Sequence, residues 1–453
     1  MIGLNLIAMA TACGGSYVGD SELAVRQPNE IVIDSRLVQE GNLFCALPGE
    51  NVDGHKFVSM AFDKGAYACL VTHVPEGETR PCIVVEDVVA AMGDIAAAYR
   101  ATLQIPIVGI TGSVGKTTMK EMIASILEQR FPVLKTDKNF NNHMGVPMTL
   151  SRINPEHRAA VVEMGINHFG EMEYLAKIVR PNVAVFTNIG RCHLEYLGDR
   201  YGVFLAKTEM MPYIKPAGSV FVCGDDDLLA RYDYAGLEVF TFGTSEDSIF
   251  HAENVVVHGK DGISCDIVCF DRRIPVQINA YGKHMIQAAL GAAAVCMNFG
   301  MSDKDIAAGI AAYRPVGGRA AVVEADGFTI INDCYNANPD SMKSAIESLA
   351  MCNGRKVAIL GDMYELGSGS VEMHREMGTV CAAEGIDQLI TCGELGADIA
   401  EAAKEAGMTD VIHFADRDSL CAAIMSLVQQ GDYVLVKASH GLHLEAVVEA
   451  MQK

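Results

Sequence analysis

The sequence predicts an α/β protein of three domains, and three observations carry that prediction. A short apolar run, Pro106-Ile107-Val108-Gly109-Ile110, leads through a glycine-rich turn into Lys116-Thr117-Thr118 and a helix. Short apolar runs alternate with helical patterns on both sides of that turn, as a parallel sheet with crossover helices requires. A chain of 453 residues, half of them hydrophobic and without a long low-complexity tract, is long enough for two to four globular units.

The N-terminal unit is expected over residues 1–103. Met1 to Cys13 is apolar, but its first basic residue is Arg26, so a short helix is expected there and not a signal peptide. Short strands are expected at 31–33, 43–47, 68–71 and 82–85, separated by turns such as Gly41-Asn42 and Pro48-Gly49. Asp34-Ser35-Arg36 follows the first of them. It reads equally as a polar turn closed by a local ion pair and as a grip on a phosphate or a uracil edge.

The central unit is expected over residues 104–314. Met119, Met122, Ile123, Ile126 and Leu127 recur at helical spacing, so the glycine turn opens an amphipathic helix. Strand, turn and helix start together make a phosphate cradle formed by Thr111, Gly112, Ser113, Val114, Gly115, Lys116, Thr117 and Thr118. Gly112 and Gly115 let the backbone curl so that N–H groups point inward. Lys116 reaches the outer phosphates, and Thr117 offers its hydroxyl to Mg²⁺. The usual pattern has glycine at the position of Ile110; here the nearest is Gly109. Val161-Val162-Glu163-Met164-Gly165 and Val183 to Asn188 read as strands that end in polar residues, where ligands gather in open α/β sheets. Glu163 is suited to hold Mg²⁺ directly or through water. His193, in Cys192-His193-Leu194-Glu195, is on its own more often structural than a ligand. Lys207, in Ala206-Lys207-Thr208-Glu209, reads on its own as a solvated helix residue.

Pro315-Val316-Gly317-Gly318 reads as a linker to a third unit over 315–453, with strands at 328–333, 356–361, 388–392 and 432–437 and no second phosphate loop. A doubly wound sheet is expected.

Charge and cysteine usage narrow the function. A net charge of -22 argues against broad nucleic-acid binding, while a local nest of N–H groups still accommodates an anionic small ligand. Fourteen scattered cysteines without a C-x-x-C pair read as reduced, buried thiols of a cytoplasmic protein. No run is long enough to predict a membrane span.

The ordered set of phosphate loop, Glu163-Met164-Gly165, Asn188-Ile189-Gly190, His193-Leu194-Glu195 and Ala206-Lys207-Thr208-Glu209 resembles the ATP-dependent Mur ligases of peptidoglycan synthesis. Asp333 to Met342, containing Tyr335-Asn336-Ala337-Asn338-Pro339, is similar to the run found in D-alanyl-D-alanine-adding members. So are Gly361 to Gly367, Asp34-Ser35-Arg36, Leu43 to Gly49 and Asn139 to Pro147. The resemblance covers essentially the whole chain. It implies a monomeric ligase that joins D-alanyl-D-alanine to UDP-N-acetylmuramoyl-tripeptide, with ATP and two Mg²⁺ ions. It further implies that Glu163 and His193 hold metal and that Lys207 is carbamylated. It also implies that Arg319 meets the transferring phosphate and that Asp333 meets the ATP ribose. Substrate contacts are implied for Ser35, Arg36, Asn141, Asn142, Asn336 and Asn338. A folylpolyglutamate synthetase-like ligase and a nucleotide-gated binding protein are the alternatives.

Two departures stand out. Positions 285 and 288, usually asparagine in the similar motif, are Met285 and Ala288, and Gln287 is the available substitute. Val436-Lys437-Ala438-Ser439-His440 stands where Lys-Gly-Ser-Arg is usual. His440 and His443 form an H-x-x-H pair for which the sequence offers no evident third ligand, so zinc is not expected there.

Overall fold

The computed structural model describes residues 1–49, 52–234, 236–325 and 327–452. Three sheets follow one another along the chain, and all three are predominantly parallel. The first contains Ile31–Val32, Leu43–Cys45, Ala68–Val71 and Cys82–Val84 as parallel neighbours, closed by an antiparallel edge strand Ser16–Val18. That edge strand is half exposed, too short for its alternation to be read from the sequence. The expected N-terminal helix forms at Leu6–Ala12, capped by Asn5, whose side chain accepts from the Ala8 N–H.

The second sheet has nine strands. Ile107–Thr111 is third from one edge, between Val183–Phe186 on one side and Ala159–Glu163 on the other. Strand order therefore reverses around the strand that feeds the glycine turn, the geometry at which α/β sheets bind ligands. Val133–Lys135 forms one edge beyond Ala159–Glu163. Beyond Ser219–Cys223 and Glu238–Phe242, three long strands, Phe250–Val257, Ile263–Cys269 and Arg272–Ile278, pair antiparallel with one another. Exposure alternates along Arg272–Ile278 and the start of Ile263–Cys269, apolar in and polar out, and Phe250–Val257 is half-buried or exposed after Phe250, unlike the continuously buried parallel strands.

The third sheet runs Ala321–Ala325, Phe328–Asn332, Tyr433–Lys437, Lys356–Gly361, Gln388–Cys392 and Val411–Phe414, parallel except for its first pair. Separate apolar clusters cover its two faces. One is built on Met342, Ile346 and Leu349 of helix Pro339–Ala350, the other on Val447, Val448 and Met451 of helix Glu445–Met451. This is the doubly wound arrangement expected from the sequence.

One packing feature differs from three units with a core each. A single apolar cluster runs from Met1 to Ala320. Helix Val88–Thr102 joins the first two sheets, because buried residues such as Val88, Met92, Ile95 and Tyr99 pack into that shared core. Arg100 locks the junction. It is 1 % exposed and donates to the carbonyls of Val179 and Arg180 and to Asn182 Oδ1 at 2.7, 3.1 and 3.0 Å. A buried guanidinium with its donors satisfied is tolerated, whereas removal of its acceptors would be costly.

At the glycine turn, Gly112 has φ +149°, and a Cβ there would lie 1.9 Å from Thr187 Oγ1. Gly115 has φ +81° with open space around it. Gly112→Ala is therefore expected to lower unfolding stability by about 1–3 kcal/mol through backbone and steric strain. Gly115→Ala should lose only the left-handed penalty of about 1–2 kcal/mol. Urea unfolding checks this, with equal midpoints for wild type and Gly112→Ala as the contrary result.

Candidate active site

The phosphate loop is stapled to the end of the neighbouring strand. Ser113 N–H donates to Asn188 O (3.0 Å) and Val114 N–H to Asn188 Oδ1 (2.9 Å). Thr187 Oγ1 and Asn188 Nδ2 donate back to Val114 O at 2.6 and 3.1 Å. Gly190 N–H reaches Ser113 Oγ at 2.8 Å. With the loop held on that side, Gly115 caps helix Lys116–Leu127, whose first N–H groups have no partner within the helix. Lys116 folds over the turn and donates to Gly112 O at 2.6 Å. Thr111 Oγ1 is buried without a hydrogen-bond partner among the described residues.

Glu163 ends the strand on the other side and is 2 % exposed. Thr117 Oγ1 and Asn141 Nδ2 donate to its two oxygens at 2.8 and 2.9 Å. Lys120, equally buried, lies 3.8 Å from it and donates to Thr136 O. Hydroxyl, carboxylate and amide oxygen close to a cradle of N–H groups is a donor set suited to Mg²⁺ with phosphate. The residues present therefore fit a magnesium nucleotide.

His193 sits with φ +52° at the start of the short helix Leu194–Leu197. Its Nδ1 is 2.5 Å from Glu365 Oε2 of the third region. Burial pushes the imidazole below its ordinary pKa, against the opposing pull of Glu365 and with a smaller push from Lys207. Glu365 is held below the usual carboxylate range chiefly by that hydrogen bond. Lys207, read from sequence alone as solvated, is fully buried. Desolvation outweighs the pull of Cys192 and, with the nearby Lys116 charge, lowers its ammonium from 10.5 to about 8.

The third region closes over the loop. Arg319 stacks on the Tyr335 ring with its guanidinium carbon 3.5 Å from the centroid. Asp333 accepts from the Ala320 N–H and from Lys437 Nζ at 3.0 and 2.6 Å. A cavity of about 1420 Å³ joins the regions. Along it lie Lys116, Thr117, Glu163, His193, Arg319, Asp333, Asn141, Asn142, Asn336 and Asn338. Lys207 is not part of this lining, and Ser35 and Arg36 lie elsewhere, in the turn after strand Ile31–Val32 of the first sheet. There Arg36 forms a 2.7 Å ion pair with Asp34 and lowers its carboxyl to about 2. Asn338 acts as a helix cap: its Oδ1 accepts from the Ser341 N–H at 2.8 Å. Asn142 Oδ1 likewise accepts from the N–H groups of Met144 and Gly145.

Sequence reasoning missed the residues that join the regions. Arg191 donates to Asp340 and, through both Nη atoms, to Glu376 at 2.6 and 3.2 Å. Glu365 lies within the Gly361–Gly367 run, yet only its partner His193 reveals its place. His284, half-buried on the cavity wall with its Nδ1 buried and unpartnered among the described residues, carries no signal of its own in the sequence. Gln287, the expected substitute at the altered motif, lines the cavity and donates to Cys223 Sγ at 2.7 Å.

Three family models match in sequence order. They are the Mur ligase family catalytic domain at 29–104, the Mur ligase middle domain at 110–296 and the Mur ligase glutamate ligase domain at 318–440. The chain belongs to the Mur ligase family. It is 36 % identical to the UDP-N-acetylmuramoyl-tripeptide--D-alanyl-D-alanine ligase of Bacillus subtilis (strain 168), over 92 % of each chain. Its fold is similar to the crystal structure of MurF from Acinetobacter baumannii, with TM-score 0.89, 32 % identity and 99 % of each chain covered. It is also similar to the MurF ligase of Thermotoga maritima in complex with ADP, with TM-score 0.82, 27 % identity and 96 % and 98 % covered. As a Mur ligase, the chain is an ATP-dependent ligase. No helix among the described residues is long and apolar enough to cross a membrane.

Arg191→Ala removes charged hydrogen bonds to two carboxylates of the third region, each worth about 1.5–3 kcal/mol when shielded and less where solvent reaches. The third region should then sample more open positions. Small-angle scattering should report a larger radius of gyration; an unchanged value would show that Arg191 does not hold the closed form.

Proposed function

We propose that this ligase joins D-alanyl-D-alanine to UDP-N-acetylmuramoyl-tripeptide with conversion of ATP to ADP and phosphate. The observation that carries the reading is one cleft in which the stapled phosphate loop, the Thr117–Glu163 pair and the third-region cations Arg319 and Lys437 meet. Relatives of the same length with the same named activity support it. The folylpolyglutamate-type alternative is not favoured.

A carboxylate is a poor electrophile, so the terminal carboxylate of the tripeptide takes the γ-phosphoryl group of ATP first. ADP leaves. The free amine of the dipeptide then attacks the carbonyl carbon of the acyl phosphate. The tetrahedral adduct loses phosphate, and the amine gives up a proton as the amide forms. Phosphoryl transfer between two anions needs dense positive charge. Lys116 and the loop N–H groups supply it on one side, and Arg319 supplies it from the other. Glu163, Thr117 and His193 are the residues that would hold Mg²⁺, which neutralises phosphate charge when bound. His193 would do so through Nε2, with Nδ1 held by Glu365, which fixes the ring's orientation.

Lys207 we assign to a carbamate. A plain ammonium would repel Mg²⁺, whereas a carbamate is an anionic oxygen ligand. The lowered pKa supports this, because only the neutral amine adds CO₂. Asp333 we assign to the nucleotide ribose. In Asn336 and Asn338, Oδ1 is already engaged with the Ala337 and Ser341 N–H groups, so substrate contact falls to the amide Nδ2. Asn141 and Asn142 are assigned to the muramoyl peptide, and Ser35 and Arg36 to the uridine end. We further propose a cytoplasmic monomer with functional units at 1–103, 104–314 and 315–453.

Mass spectrometry with the UDP-muramoyl tripeptide, ATP and D-alanyl-D-alanine should find the pentapeptide product and none from folate with glutamate. Product only from the second pair would overturn the reading. Lys116→Ala should lower turnover at least about 10²-fold, as loss of a transition-state donor does; wild-type turnover would contradict its role.

Incubation with ¹³C-bicarbonate should give a carbamate NMR signal that grows as pH rises through about 8, where the Lys207 amine becomes neutral. Lys207→Ala should lack both signal and activity, with partial rescue by short carboxylic acids. The same signal in the variant would remove the carbamate.

A further inference from the structure

The H-x-x-H pair near the C-terminus gains from the fold what the sequence did not show. After strand Tyr433–Lys437 the chain makes one 3₁₀ turn, His440–Leu442, and then enters helix Glu445–Met451. His443 caps that turn, three residues after His440. His443 itself has φ +53°, and its N–H donates to His440 O at 3.0 Å. This backbone region is uncommon outside glycine but favoured by histidine over most residues, and here the His443 ring lies against His440, at 5.4 Å between centroids. The first residue of the following helix brings a carboxylate to the same place: Glu445 Oε1 lies 3.3 Å from His440 Nδ1.

Two imidazole nitrogens and a carboxylate oxygen thus lie within 4.8 Å of one another. Ligand bonds of about 2.1 Å at tetrahedral angles require separations of about 3.4 Å. The His440–Glu445 pair already has that spacing, and side-chain rotation covers the remainder. Nitrogen and oxygen donors in this number suit zinc-class ions better than Mg²⁺, which prefers oxygen. The ligands are separate from Glu163, His193 and Lys207.

We propose that His440, His443 and Glu445 form a binding site for one zinc-class divalent cation at the rim of the ligase cleft. Three protein ligands leave a fourth position to water or to an anionic group. His440 lines the cleft and stacks on Tyr335, at 5.9 Å, and Tyr335 in turn carries Arg319. An ion there fixes that stack and adds positive charge at its edge. The proposal stands apart from the ligase reading, since it needs neither nucleotide nor peptide.

The test is equilibrium dialysis of the full chain against Zn²⁺, with ADP and millimolar Mg²⁺ present to fill the nucleotide site. Wild type should retain one Zn²⁺ more than His443→Asn, chosen because asparagine tolerates the left-handed backbone. Glu445→Gln should weaken that ion at least about tenfold. Co²⁺ in place of Zn²⁺ should give visible ligand-field bands in wild type that both variants lose, without sulfur charge-transfer bands. Equal zinc content and affinity in all three proteins, or Co²⁺ spectra dominated by thiolate, would overturn the site. Thermal melts without metal show that the variants fold.

Discussion

The arrangement rests on the grip of Thr187 and Asn188 on the phosphate loop. A glycine turn with left-handed residues has no reason to hold one curl in isolation. Here both the N–H and the carbonyl of Val114 are held from the adjacent parallel strand, and Ser113 is tied to Asn188 and Gly190. Gly112 is the complement of that grip, because the Thr187 hydroxyl occupies the space a side chain would need. The loop is thereby registered to a sheet whose strands end at one level. Glu163 arrives from the opposite neighbour at a fixed distance from Thr117. The charge cradle is thus organised in advance and need not reorganise when phosphate charge shifts.

The third region meets this cradle through polar contacts, Arg191 with Asp340 and Glu376 and His193 with Glu365, and through the smaller apolar contacts of Tyr281 and Met373. The first two regions differ, since they share an apolar core through helix Val88–Thr102. Apolar burial over that extent resists separation, while part-exposed ion pairs exchange readily with water. The first two sheets are therefore held more firmly to each other than to the third region. Such an arrangement admits large substrates and then completes the cation set around the reacting phosphate.

Motifs that fix backbone geometry were legible in the sequence, because glycine positions and apolar periodicity are local. The phosphate loop, its amphipathic helix, the parallel strands and the doubly wound third sheet all follow from such patterns. Contacts made across the chain were not. Lys207 reads as a surface lysine because four neighbouring residues cannot report burial contributed by other elements. Arg191 and Glu365 acquire meaning only from partners about 150 or more residues away. The strands Ala321–Ala325 and Phe250–Val257 give no strand signal in the sequence, because both are partly exposed and lack a regular alternation of polar and apolar residues. His440 and His443 were visible as a pair, but their carboxylate becomes apparent only when the turn brings the next helix beside them.

The central claim is that the cradle serves to phosphorylate a carboxylate before an amide is made. Its most direct test is oxygen transfer. With ¹⁸O in the terminal carboxylate of the UDP-muramoyl tripeptide, ATP and D-alanyl-D-alanine, the account predicts that each inorganic phosphate released carries one ¹⁸O drawn from that carboxylate. Phosphate free of ¹⁸O, released alongside ligated product, would contradict it.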